Sequence, residues 1–382
     1  MLQMNSSEQL KLDVISRVHA GKISFKHGAR ILAKSESTLF RYLRGYKKRG
    51  AVVVKHGNSH KKPYNRMAPD LEKRILSLCR SKYHDFNRTH AREELEKNEQ
   101  IIVLKDTFNR LCNRHGLLKK NTRRKKHIAR SRRERMSQLG LMLQLDGSPH
   151  RWFGVRKTCL VIAIDDATGD ILYGEFSPTE TTFACMNVVK KVLRDHGVFQ
   201  LLYTDRAGIF GKDPINQFYA VKREGFSALR KSLSHFNIHV IYAFSAEAKG
   251  RVERAFRTLQ DRLVAEMRLH EIWTIQEANR YFNEIYLPRH RELFAKNPSN
   301  PESAFVPLVS TVDLDELFYM SEVRVVRNDH TFLYKNRIYD IENGGENYAG
   351  NEIEIRSYPE GQVRYFIDDK EVQLRKSEEK IA

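Results

Sequence analysis

Cysteine is scarce in this chain. Its 382 residues include four, Cys79, Cys112, Cys159 and Cys185, with no CxxC pair and no paired histidine spacing. That argues against a disulfide framework and a zinc site, and it suits a reducing compartment. Long apolar runs are missing as well. The longest, Cys159 to Ile164, is far short of the roughly 20 residues of a membrane span. The first residues, MLQMNSSEQLKLD, are polar and unlike a signal peptide. Neither an amphipathic basic helix nor a lipidation motif offers a route to a membrane surface, so no membrane partner is expected.

Acidic residues are in deficit, but only in the first third. The formal net charge is +20, with 41% hydrophobic and 30% charged residues. Residues 1–135 hold 35 Lys and Arg against 12 Asp and Glu, whereas residues 136–382 hold 32 against 35. A basic front joined to a near-neutral back points to nucleic-acid binding in front and a separate task behind. The length fits two to four domains.

Helical spacing of Leu10, Val14, Ile15 and Val18, a turn at Gly21, a capped segment from Ser24 and a basic stretch from Glu36 to Gly50 predict three short helices. This is a helix-turn-helix pattern over 1–52, with Thr38, Arg41, Tyr42, Arg44 and Lys48 expected to reach bases or phosphates. The alternative is a plain three-helix core with a solvated basic face. A linker at 53–68 leads to a second helix-turn-helix-like unit at 69–118, with Thr89 expected as a helix cap. In 119–138, the run KKNTRRKKHIARSRRER carries Arg123, Arg124, Lys125 and Lys126. It reads as a disordered linker, or as a strap along the phosphate backbone that gives affinity without sequence choice.

Residues 139–290 change character. Apolar segments at 139–146, 158–169 (a strand followed by a turn), 170–176, 199–205 and 237–244 alternate with helical patterns at 181–196, 226–236 and 248–270. The order β-β-β-α-β-α-β-α predicts a mixed sheet covered by helices, the order of the ribonuclease-H-like fold. A further helix at 274–286 ends where Pro288, Pro298, Pro301 and Pro307 break the chain. After a linker at 291–318, short alternating strands at 319–382 predict a small all-β barrel.

Phosphodiester exchange can use two divalent ions held by several carboxylates at one sheet edge. Asp146 and Asp205 each close a predicted strand, and these two strands are parallel neighbours in the predicted order. Glu253 lies in the first turns of the long helix, beside the apolar stripe Val252, Phe256, Leu259, Leu263 and Met267. Each has a plainer alternative. Asp146 suits a turn in Asp-Gly-Ser-Pro, Asp205 suits a loop cap, and Glu253 suits an i,i+4 pair with Arg257. Asp165 and Asp166, in Asp-Asp-Ala-Thr-Gly, read as a hairpin turn. Glu247 falls before the helix begins.

The runs Leu145-Asp146-Gly147-Ser148-Pro149-His150, Tyr203-Thr204-Asp205-Arg206 and Ala248-Lys249-Gly250-Arg251-Val252-Glu253-Arg254 resemble the three catalytic blocks of DDE transposases with an integrase-type core. They are most similar to those of the ISNCY-type insertion-sequence family, with Mu-like transposases and retroviral integrases as more distant relatives. The resemblance implies that Asp146, Asp205 and Glu253 bind two Mg²⁺ ions, with Mn²⁺ able to substitute. It implies cleavage at transposon ends and attack of the freed 3′-OH on target DNA. The partners implied are double-stranded terminal inverted repeats, target DNA and further copies of the chain in a synaptic complex, in a bacterial, nucleoid-associated cytoplasmic setting. Lys249, Arg251 and Arg254 would contact phosphates near the cut, Arg206 would hold the phosphate at the second aspartate, and His150 and Trp152 would position DNA. Core packing is the alternative for Trp152 and a solvated face for the arginines. Ser245-Ala246-Glu247 stands where relatives often have Pro-Gln. The stretch Ile209–Arg223 reads as an insertion, and the His/Cys zinc domain of retroviral integrases is missing.

Two other functions fit parts of the pattern. One is a non-catalytic DNA-binding regulator, for which the core is scaffold. The other is a structure-selective nuclease that cuts without joining. A tyrosine recombinase fits poorly, because Tyr286-Leu-Pro-Arg-His-Arg bunches its candidates at one helix end.

Overall fold

The computed structural model describes residues 4–55, 67–118, 133–154, 156–204, 228–242, 250–342 and 345–375. Their contacts divide the chain into two compact units, 1–76 and 77–382.

In the first unit, α1 (Ser6–His19), α2 (Phe25–Ile31) and α3 (Glu36–Arg49) enclose a small core of Ile15, Ala29, Leu39 and Val54. Each helix starts on a polar cap: Asn5, Ser24 and Ser35 accept from the backbone N–H three residues on. Ser24 is the cap expected from sequence. The chain turns from α2 into α3 through Ala33, which takes a positive φ of 48°.

Helix α4 (Pro69–Ser81) spans the division between the units. Helices α5 (Arg88–Glu99) and α6 (Lys105–His115) follow. The cap of α5 is Asn87, whose side chain accepts from the His90 N–H at 2.9 Å, and not Thr89. Residues 69–118 were expected to form a separate domain, but Asn87, His90 and Glu93 bond to Asp261, Glu266 and Arg262 of the long helix at 250–269. That surface of α5 is therefore committed to packing.

The next part of the chain builds a five-stranded sheet in the order β3-β2-β1-β4-β5. Its strands are β1 (Met142–His150), β2 (Thr158–Asp165), β3 (Ile171–Ser177), β4 (Leu201–Thr204) and β5 (His239–Tyr242). The first three are antiparallel neighbours, while β1–β4 and β4–β5 are parallel. Every residue of the interior strand β2 is buried. Cys159, Val161 and Ala163 face one core with α7 (Thr182–His196), whereas Leu160, Ile162 and Ile164 face another with α9 (Gly250–Leu269). The period of two along the strand places a helix on each face. On α9 the stripe Val252, Phe256, Leu259, Leu263 and Met267 is buried as its 3.6-residue spacing predicts. Helix α8 (Ala228–Ser234) joins the α7 side.

The edge strand β3 is covered by side chains. Asn279 bonds both backbone groups of Phe176, and Asn283 bonds both of Gly174. These carboxamides satisfy an edge that would otherwise pair with another chain. They come from α10 (Ile275–Tyr281) and the π-helical turn Phe282–Tyr286 that leads into α11 (Leu287–Phe294). Pro288 was expected to end this helix. It sits instead in the first turn of α11, where a missing N–H costs little.

After α12 (Leu314–Leu317) the chain is β-rich. The strands β6 (Met320–Val325), β9 (Glu352–Ser357), β10 (Val363–Ile367) and β11 (Lys370–Val372) form an antiparallel sheet in the order β11-β10-β9-β6. The hairpin β7 (Thr331–Tyr334) and β8 (Arg337–Asp340) shares its core through Phe332, Tyr334, Ile353, Ile355 and Ile367. Among the described residues the two sheets do not close into the expected barrel. The hairpin reaches the chain's end only by the single bridge Ile341–Leu374. Strands of three to six residues make a two-layer packing here without ring closure.

Candidate active site

Asp146 lies in the middle of β1 rather than at its end. The antiparallel pairing with β2 continues to His150, but the parallel pairing with β4 stops at Gln144–Tyr203. Asp146 therefore stands just past the point where β1 loses its parallel neighbour. Its partner across β2 is Ile162, which belongs to the core on the α9 side, so Gln144, Asp146 and Ser148 share that face. Asp205 lies outside the described residues, as do Arg206, Lys249 and the basic run with Arg123, Arg124, Lys125 and Lys126. Thr204, to which Asp205 is joined, sits beside Leu145, to which Asp146 is joined; the Thr204 hydroxyl is 3.4 Å from the Leu145 carbonyl oxygen.

Two tethers fix α9 over β1. Gln260 donates to the Ser148 hydroxyl at 3.1 Å. At the other end Arg251 pairs with Asp166, which also accepts from Gln144 at 2.6 Å. The amino-terminal end of α9 is thus held at the Gln144 end of β1. Glu253 precedes Gln260 by seven residues, close to two full turns, so the two share one flank of the helix. Glu253 stands about 10 Å up the helix from Gln260, and Asp146 stands about 7 Å up the strand from Ser148. The two displacements run the same way, so Glu253 and Asp146 both lie on the Gln144 side of the Gln260–Ser148 tether. Asp146 is half-buried and Glu253 is exposed. Glu253 forms no ion pair with Arg257 among the described residues, which removes its plainer explanation.

Asp166 is the hub that sequence reading took for a turn residue only. It is fully buried and accepts from Met136 N–H at 2.9 Å, from Gln144, and from the guanidinium groups of Arg133 and Arg251. Asp165 beside it is also fully buried and accepts from Gly140 N–H, Thr168 N–H and the Thr168 hydroxyl. Nothing local in Asp-Asp-Ala-Thr-Gly distinguishes such a hub from an exposed turn. Its partners come from three separate stretches of chain, around Arg133 and Met136, at Gln144 and at Arg251.

Two expected DNA contacts are corrected. Trp152 is fully buried, donates its indole N–H to the Ser148 carbonyl oxygen at 2.9 Å and meets Phe176 edge-on. A ring without exposed surface cannot touch DNA. Arg251 is committed to Asp166 and, at 2.8 Å, to the Arg133 carbonyl oxygen. It fastens the helix and is not available to a phosphate. Arg254 on the next face is exposed. His150 is half-buried and lies edge-on to Trp152. Burial, with Lys157 nearby, holds its imidazole below the usual histidine range.

Glu180 is a further carboxylate that sequence reading did not single out. A Cβ added at Gly147 would lie 2.6 Å from the Glu180 carboxyl carbon, so the glycine of the first block leaves room for it.

On α3, Arg41, Arg44 and Lys48 are exposed and recur at helical spacing on the side opposite the buried Leu39. Tyr42 packs against the small core, and the Thr38 hydroxyl bonds that of Ser35 at 2.9 Å.

No family model matches the chain. It is similar to two curated proteins over most of its length. One is y4bF of Sinorhizobium fredii, which carries the name of a transposase: 28% identical over 369 residues, 95% of this chain and 79% of that protein. The other is the transposase for insertion sequence IS1202 of Streptococcus pneumoniae: 27% identical over 383 residues, 90% of this chain and 80% of that protein. Among solved structures, the HTLV-2 integrase catalytic core domain in complex with magnesium matches 39% of this chain and 88% of its own, at 16% identity and a TM-score of 0.28. A simian T-cell lymphotropic virus intasome in complex with PP2A regulatory subunit B56 gamma matches 74% and 97%, at 11% identity and a TM-score of 0.35.

The sheet order and the long sequence likeness together define a DDE-type recombinase with an integrase-type core. Within that class the chain is similar to transposases over most of its length.

Proposed function

We propose that Asp146, Asp205 and Glu253 form the metal-binding triad, and that the chain cleaves transposon ends and joins the freed 3′-OH to target DNA. The observation that supports this is the pair of tethers, Gln260 to Ser148 and Arg251 to Asp166, that holds the part of α9 carrying Glu253 over the part of β1 carrying Asp146. Asp205 follows Thr204, which stands beside Leu145.

The donor set suits hard divalent cations. Asp146 and Glu253 are carboxylates, neither fully buried, on two elements locked to each other, which fits two Mg²⁺ with Mn²⁺ as a substitute. When bound, such ions neutralise charge on the phosphodiester and favour the deprotonated nucleophile. The protein's own part is positional. The β1–α9 clamp keeps two carboxylates at fixed spacing, and the fully buried Trp152 and Asp166 make that clamp stiff. Arg254, with Lys249 beside the helix start, holds a phosphate of the strand being cut. His150 lines the approach.

The α3 stripe of Arg41, Arg44 and Lys48, with Thr38 and Tyr42 at its margin, reads the terminal inverted repeats. Arg123, Arg124, Lys125 and Lys126 add sequence-independent affinity. Copies of the chain pair two ends in a synaptic complex, and the ISNCY-type insertion sequences supply the nearest pattern for the three blocks.

The test is Asp146→Asn, assayed with a duplex carrying an element end. End binding should survive while cleavage and strand transfer disappear. Unchanged strand transfer would remove Asp146 from the triad. Cleavage without joining by the wild type would favour a nuclease, and binding without either would favour a regulator.

A further inference from the structure

On the far side of α9 from the Gln260 flank, a second group of ligand-type side chains meets. His90 and Glu94 stand one turn apart on α5, and Glu266 faces them near the end of α9. His90 Nε2 is 2.9 Å from Glu266 Oε1 and 3.9 Å from Glu94 Oε1, and one donor atom from each residue lies within 4.8 Å of the others. All three are buried. A tetrahedral ion with ligands at about 2.0–2.2 Å sets its donors roughly 3.3 Å apart, between the two histidine distances observed.

The carboxylates are partly satisfied already, since Asn98 donates to Glu94 Oε2 at 2.5 Å. One imidazole nitrogen can give its proton to only one carboxylate. Burial, and then the charge of Glu266, push the Glu94 carboxyl above its usual range. Tyr281 donates to the other Glu266 oxygen at 2.8 Å, and Arg289 reaches it only at 4.0 Å. Arg262 is taken by Glu93 at 2.6 Å.

A separate observation calls for an occupant. The three residues border a cavity of about 330 Å³ whose wall also includes Tyr286, Arg289 and His290. His290 is only 5% exposed, and among the described residues neither of its ring nitrogens has a hydrogen-bond partner; the same holds for His90 Nδ1. A buried imidazole has both a donor and an acceptor to satisfy, so the cavity wants a polar filling.

We propose that His90, Glu94 and Glu266 bind one Zn²⁺ ion, with a water at the fourth position facing the cavity and His290. An imidazole nitrogen with two carboxylates is a borderline donor set that suits zinc and disfavours magnesium. The ion joins α5 to α9, so it fastens the helices after the linker to the catalytic domain and is structural. It stands apart from the proposed Asp146, Asp205 and Glu253 site and does not depend on it. This departs from the expectation, drawn from the lack of CxxC and of paired histidine spacing, that the chain has no zinc site. His90 and Glu266 are 176 positions apart, so no local motif announces this one.

The experiment uses the full-length chain, stripped with a chelator, reloaded with zinc chloride alone and passed through gel filtration. It is done on the wild type and in an Asp146→Asn, Glu253→Gln background that disables the proposed catalytic site. About one zinc per chain should remain in both, with a raised melting temperature and an X-ray absorption spectrum showing nitrogen and oxygen ligands without sulfur. Glu94→Gln, which preserves shape, and His90→Gln should each lower zinc retention at least tenfold and abolish the melting shift while circular dichroism shows a folded chain. Should either variant fail to fold, the absorption spectrum and stoichiometry of the wild type decide. No retained zinc in the folded wild type, sulfur ligation, or full retention by a folded Glu94→Gln would overturn the site.

Discussion

Arg251 and Arg254 stand one turn apart at the start of α9, yet their burial gives them different tasks. Arg251→Ala would leave the buried Asp166 with one guanidinium instead of two. A loss of about 2–4 kcal/mol in urea unfolding is expected, below or within the range for breaking a buried pair because Arg133 remains. Arg254→Ala should leave stability within about 0.5 kcal/mol and weaken DNA binding instead. Equal stability loss from both would show that Arg251 is no fastener. His290 gives a pH test. Burial lowers its pKa from the ordinary 6.5 to about 4. Between these values the unfolded chain binds a proton that the folded chain refuses, so stability falls as pH drops through that window. The contribution is up to about 3 kcal/mol, complete near pH 4. Melting curves from pH 7 to pH 4 should show the loss, and His290→Phe should flatten it; an unaltered slope in that variant would assign the effect to other groups.

The elements carry their own signatures. Gly174 on edge strand β3 lets Phe282 press onto the sheet: an added Cβ would come 2.5 Å from Phe282 Cε1 and 3.0 Å from Ile162 Cγ2. Gly174→Ala should therefore cost about 1–3 kcal/mol, seen as a lowered denaturation midpoint. Replacing Asn279 and Asn283 together by Ala bares the backbone of Gly174 and Phe176. Light scattering at rising protein concentration should then report edge-to-edge association; a pair of variants as monodisperse as the wild type would show that other features protect this edge. The helix stripes and the apolar run Cys159–Ile164 of β2 were legible from the sequence alone, since such apolar stretches must be buried somewhere. Pro288 inside a continuing helical segment was not, because its tolerance depends on the π-helical turn before it.

Across the whole molecule, charge and catalysis are segregated along the chain. Replacing Arg123, Arg124, Lys125 and Lys126 by Gln should weaken binding to specific and random duplexes alike, and reduce the salt slope by about 3–4. Arg41→Ala should instead erode the preference for the element's end. A filter-binding salt titration on both duplexes separates these outcomes. A slope unchanged by the fourfold substitution would make that run a plain linker. Among the described residues, no helix is long and apolar enough to cross a membrane.

The sequence by itself determined the order of elements, the polarity of each face, the basic front and the three blocks with Asp146, Asp205 and Glu253, because these depend on local spacing and composition. The tertiary structure alone decided that Arg251 fastens a helix, that Trp152 is core, that Asp166 is a hub, and that α5 is docked where His90 meets Glu266. Each of those depends on side chains brought together from distant stretches, and burial sets which of them remain available to a ligand.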